Sequence, residues 1–217
     1  MKLNIIIKEF SVYAGIRFIS MITSLISFYI FAKYASIQDI SDYIFLSAFL
    51  SWAPLLFILG LDDALSRFLS RKNYLIIMKL IFKVGIFTLI FFIFLVIILN
   101  WFFKLEENVV VSLMSISLYG YFLSIVTIHI NYLRLIKRVS DYIYISIPLA
   151  LSPMIGISFY FLTDSIQYYF LGVTFIVLVL AIKIIRELRI FRINFRDSKN
   201  LSWNFFTFSL PSILSGV

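Results

Sequence analysis

The chain has 217 residues, of which 62% are hydrophobic and only 14% charged, with a formal net charge of +8 and a mean hydropathy of +1.04. Ordinary soluble domains carry roughly 25% charged residues, so composition excludes a soluble globular fold. The absence of cysteine excludes a disulfide framework and a thiolate metal site.

The apolar residues run in long unbroken stretches, not in ten-residue alternations. Lipid leaves no backbone group unsatisfied, so such stretches are helices and not barrel strands. This predicts an all-α polytopic membrane protein: a six-helix transmembrane bundle plus the start of a seventh helix. In chain order the spans are 10–31, 43–61, 75–99, 109–131, 142–162 and 168–185, then a partial span at 203–217. The first eight residues are weakly basic, the run beyond them is too long for a signal h-region, and no small-x-small cleavage site follows. The first span is therefore expected to be retained. The last stretch is shorter than the about 20 residues needed to cross a ~30 Å hydrocarbon core. The expectation is the front half of a larger protein: a six-span bundle over 1–185, a basic cytoplasmic linker over 186–202, and a truncated first helix of a second bundle over 203–217.

Charge sets the orientation. Sixteen of the nineteen basic residues fall before span one or around the second, fourth and sixth connections. The other connections hold Lys33 and Lys104 among Asp39, Asp42, Glu106, Glu107 and Asp164. Basic loops stay cytoplasmic, which predicts a cytoplasmic N-terminus. The charge is thus a topology signal; nucleic-acid binding would gather it on one folded face. Arg186, Arg189, Arg192 and Arg196 recur at helical spacing beside an apolar stripe. They suit a segment resting on anionic membrane lipids, or a docking site for a cytoplasmic partner.

Arg17 fits neither side, because it lies about 10 Å inside the first span. A helical wheel gathers Tyr13, Arg17, Ser20, Ser24 and Ser27 on one face. Such a stripe turns toward other helices or water, since lipid offers it no partner. Two readings stand: a cation lining a cavity and binding an anionic group, or a side chain snorkelling to the headgroups. Span four carries a matching face of Ser117, Gly120, Tyr121, Ser124 and Asn131, with Thr127 and Arg134 at its margin, and is expected to pack against span one or line the same space. The lone His129 lies on the other side of that wheel and reads as an interfacial residue. Asp63 and Arg67 form an i,i+4 pair after span two, which reads as a surface helix extension. Pro148, Pro153 and Gly156 interrupt span five, as in the kinked helices of transporters, and proline is tolerated in passive spans too. No phosphate-binding loop, metal-ligand cluster or nucleophile–base pair occurs, so neither enzyme chemistry nor a cofactor is expected.

Residues 31–43 (FAKYASIQDISDY) and 59–68 (LGLDDALSRF) resemble the first outer loop and the second-span exit of bacterial polysaccharide-repeat (O-antigen, Wzx-type) flippases. Residues 131–138 (NYLRLIKR) and 208–215 (FSLPSILS) resemble that family's fourth-span exit and seventh-span opening. The sequence departs from the family pattern at Ile40, where an aromatic is usual, and at Ser41, where glycine is usual. The resemblance implies the superfamily of drug/sodium antiporters and lipid II flippases, with two six-helix bundles alternating access to a central cavity. It implies as substrate an undecaprenyl-diphosphate-linked oligosaccharide passed across the bacterial inner membrane, with polysaccharide-assembly proteins as possible partners. Arg17 matches the cationic first-span position of that group, and diphosphate binding is its implied role. With it, Ser20, Ser24, Tyr121, Ser124, Asn131 and Arg134 form the expected substrate-binding set. Three alternatives remain. A multidrug or cation antiporter would favour a carboxylate deep in a span. A polysaccharide polymerase would need a large outward loop. The third is an inactive remnant.

Overall fold

The computed structural model describes residues 2–58 and 71–188. They form six α-helices: α1 Lys2–Tyr34, α2 Ile37–Ile58, α3 Arg71–Phe103, α4 Glu107–Leu135, α5 Val139–Thr163 and α6 Ile166–Leu188. The Asp63–Arg67 pair, the basic stripe from Arg189 to Arg196 and the partial span at 203–217 lie outside the described residues. Five helices, α1 and α3 to α6, carry apolar stretches long enough to cross a membrane. The chain is a helical, multi-pass membrane protein by length and composition of its helices.

Three helices depart most from the predicted spans. Helices α1 and α3 have 33 residues each, about 50 Å at ~1.5 Å per residue against a ~30 Å core. A helix satisfies its own backbone, so it runs on past the lipid into turns carrying Lys79 and Lys83. Helix α2 starts at Ile37, before the predicted span at Tyr43, because the Ser36 side chain caps its polar first turn. The Ser36 Oγ accepts the Asp39 N–H at 3.1 Å and donates to Asp39 Oδ2 at 2.7 Å. Hydropathy registers only the apolar residues that follow.

Helix α4 is the hub. It packs against α6, α2 and α3, while α5 packs on α6 and α1 packs on α5. Half of the apolar stretch of α4 and of α6 is buried, against 22% in α1 and 17% in α3, so α1 and α3 are peripheral. The expectation that span four meets span one gives way: the long seam of α1 is with α5. These two run parallel, as Tyr13 meets Tyr142 at 4.7 Å between ring centroids and Phe31 meets Tyr160 at 4.9 Å.

The prolines explain part of that pairing. Helix α5 continues through both Pro148 and Pro153, although a proline removes the N–H that would bond the carbonyl four residues earlier. For Pro153 that carbonyl belongs to Leu149, and the Ser152 hydroxyl donates to it at 2.8 Å. The buried Thr23 hydroxyl of α1 reaches the adjacent Ala150 carbonyl at 2.7 Å. The Ser152 hydroxyl thus stands in for the donor missing at Pro153, as lipid requires, while the Thr23 bond ties α1 to the same turn of α5.

The two ends of the bundle differ. Lys79, Lys83, Arg134, Lys137, Arg138, Lys183 and Arg186 gather at one end. At the other, Tyr43 stands among Phe31 at 5.0 Å and Tyr169 at 5.3 Å. There the Tyr160 hydroxyl donates to Asp39 at 3.0 Å. The α1–α2 joint is therefore tied to α5 by an aromatic cluster and one carboxylate.

Candidate functional site

Arg17 lies within the apolar stretch of α1, Phe10–Tyr34. Measured from Lys33 at the acidic end, its Cα stands about 24 Å along the helix. By the same rule Lys83 stands about 32 Å from Lys104. Lys83 therefore reaches the far interface of a ~30 Å core, whereas Arg17 remains inside it. Its side chain is exposed on the bundle surface. Among the described residues it makes no ion pair and no hydrogen bond. Ser24 and Phe28 follow it along one flank of α1 at helical spacing, and Phe28 meets Tyr43 of α2 at 5.8 Å. That flank meets α2 near the α1–α2 joint and is exposed at the level of Arg17.

The rest of the expected set divides. Ser20 is half-buried and Ser24 exposed, next to the buried Thr23 and Ser27 on the α5 side of α1. On α4, Tyr121 and Ser124 are buried among other helices. The Tyr121 ring fills the space over Gly85 of α3, and its hydroxyl donates to the Phe82 carbonyl at 3.3 Å. Ser124 spends its hydroxyl on the Tyr121 carbonyl of its own helix at 2.6 Å. Asn131 is half-buried and Arg134 exposed near the basic end. The structure therefore does not bring the α4 hydroxyls and Arg17 into one cavity.

A cavity of about 510 Å³ does open at the basic end, between α3, α4, α5 and α6. None of the seven expected residues lines it. His129 and Tyr74 form its floor, joined by a hydrogen bond between the Tyr74 hydroxyl and His129 Nδ1. Tyr132 stacks on Tyr74 with centroids 3.8 Å apart and planes 4° from parallel. Its rim holds two ion pairs, Arg138–Asp141 at 3.5 Å and Lys183–Glu187 at 3.7 Å. Only His129 of this group stood out in the sequence; the two ion pairs have helical i,i+3 and i,i+4 spacing, but their meeting with Tyr74 and Tyr132 depends on the packing of four helices.

Every described carboxylate side chain sits at a helix end or in a connection. At the acidic end, burial first, and then the negative charges of Asp39 and Glu106, hold the Asp42 carboxyl above the usual carboxylate range. A raised acid pKa means that the folded chain binds the proton more tightly than the unfolded one. The Asp42 carboxyl therefore favours folding in acid and opposes it as pH rises through its folded pKa. Asp42→Asn is expected to raise the thermal midpoint at neutral pH and leave it unchanged in acid. An equal gain in both conditions would show that charge is not the cause.

Among the described residues no group of three or more His, Cys, Asp or Glu is placed to hold a metal ion. No known protein family, curated protein or solved structure matches the chain. What the helices themselves establish is the class, an all-helical membrane protein.

Proposed function

We propose that this bundle takes part in moving a polyprenyl-diphosphate-linked oligosaccharide across a bacterial inner membrane, with its basic end in the cytoplasm. The observation that carries the reading is Arg17: a guanidinium inside an apolar helix, exposed on the bundle surface, without an ion pair or hydrogen bond among the described residues. A guanidinium is weakly hydrated, permanently charged and matched to phosphate oxygens by its planar fork of donors. The resemblance of residues 31–43 and 59–68 to polysaccharide-repeat flippases supports the same substrate, and in such a transporter this bundle is one of two. The positive-inside rule supports the orientation. Cation antiport is the weaker reading, because no described carboxylate side chain lies deep in a span.

The test is transport of a diphosphate-linked oligosaccharide lipid in proteoliposomes by the intact protein. Losing charge-assisted hydrogen bonds of about 1.5–3 kcal/mol weakens diphosphate binding roughly tenfold to a hundredfold. Arg17→Ala is therefore expected to lose transport by that order, and Arg17→Lys to keep part of it as a point charge without the fork. Normal transport by both variants would end the proposal.

A further inference from the structure

The cavity at the basic end is built for a ligand that the Arg17 flank does not provide for. Its charges cancel: Arg138 is paired with Asp141 and Lys183 with Glu187. The lining itself is balanced in charge, although Lys79, Lys83, Arg134, Lys137 and Arg186 at the same end make the surrounding field positive. The rim offers the two kinds of hydrogen-bonding group side by side. Guanidinium and ammonium only donate, and ionised carboxylates only accept. A ligand that uses both must carry donors and acceptors, and each hydroxyl of a sugar is both.

The walls add a second constraint. Tyr144 lines the cavity, and Lys183 Nζ covers one face of its ring, 3.6 Å from the centroid. An aromatic face is the negative part of the ring quadrupole, so the opposite face attracts the polarised C–H groups of a sugar ring. Tyr132, held flat by its stack on Tyr74, is a rigid second platform. The volume of about 510 Å³ falls within the range of small-molecule sites, roughly 300–1,000 Å³. Both ion pairs are local, at i,i+3 and i,i+4 spacing, and are worth about 0–1 kcal/mol each to stability at a well-exposed rim; helix packing brings them to one cavity.

We infer that this cavity is a binding site for a neutral sugar ring, with Tyr144 and Tyr132 as stacking faces and the Arg138–Asp141 and Lys183–Glu187 pairs as hydroxyl partners. The inference rests on the proposed function only for the source of the sugar, the saccharide head of the transported lipid. The sugar class itself follows from the cavity.

Saturation-transfer NMR on the full chain in lipid nanodiscs tests it, with N-acetylglucosamine, glucosamine and glucuronate as neutral, cationic and anionic probes. The expected result is transfer to N-acetylglucosamine above either charged probe. Tyr144→Ala and Asp141→Asn alter exposed side chains, so the chain stays folded, and each is expected to weaken the neutral probe about tenfold, the loss of one hydrogen bond or stacking contact at a charged rim. Phe18→Ala, an exposed side chain of α1 outside the cavity, leaves it unchanged. Stronger transfer to a charged probe, no transfer at all, or full retention in both cavity variants overturns the inference. A separate arm measures farnesyl diphosphate binding and its dependence on Arg17. Failure there with sugar binding intact removes the diphosphate reading and leaves the sugar site standing, and the reverse result removes the sugar site alone.

Discussion

Gly156→Leu is expected to dismantle the seam between α5 and α6 and leave a chain that no longer folds to one state. A Cβ at position 156 would lie 2.7 Å from Val173 Cγ2 and 2.9 Å from Tyr169 Cε2. Neither neighbour has room to retreat, since Val173 and Tyr169 are both buried. The seam is just as tight from the other side: a Cβ on Gly172 would stand 3.2 Å from the Gly156 Cα, which is backbone. Membrane helices gain little from hydrophobic burial against one another and rely on close backbone approach, which small residues permit. Overpacking ordinarily costs about 1–3 kcal/mol, and a leucine wedged between two backbones belongs at or above the upper end. Gly15→Leu is the control, because a Cβ there meets nothing within 4 Å. The measurement is thermal unfolding in detergent by circular dichroism, with size-exclusion profiles alongside. Equal midpoints for the two variants would disprove the close approach.

That seam shows how much the sequence could tell. Continuous apolar runs marked where helices lie, since spanning lipid demands nothing more specific of a sequence than length and apolarity. Which helix lies beside which is a different matter. Leu, Ile and Phe look the same facing lipid as facing a neighbour, so neither the hub position of α4 nor the parallel pairing of α1 with α5 had a signature. Some local signals were present in plain residues: Ser36 and Asp39 at capping-box spacing, and Ser152 just ahead of Pro153. Arg17 was legible because a charge inside an apolar run is conspicuous whatever surrounds it. The hydroxyl face of α4 was ambiguous for a physical reason. Small and polar residues serve helix packing as well as ligand binding, and Tyr121 and Ser124 are both engaged in packing. The cavity over Tyr74 and His129 was hidden because its residues come together only when four helices pack.

Tyr121 can be separated from a binding role by coupling it to Gly85. Its ring sits where a Cβ on Gly85 would be, 2.5 Å from Cε2, and the hydroxyl bond to Phe82 pins it there. Gly85→Ala is therefore expected to destabilise the α3–α4 contact by about 1–3 kcal/mol. Tyr121→Ala removes a buried ring of the core that also holds Phe57 and Ile125, and large aromatic truncations cost about 3–5 kcal/mol. In the double variant the new methyl enters the vacated space, so the two costs do not add. A coupling of about 1–3 kcal/mol in favour of the pair is the expected outcome of the double-mutant cycle, read from unfolding midpoints. Simple additivity would mean that ring and glycine are not in contact. If Tyr121→Ala instead left stability intact and removed substrate binding, the residue would return to the site from which its packing separates it.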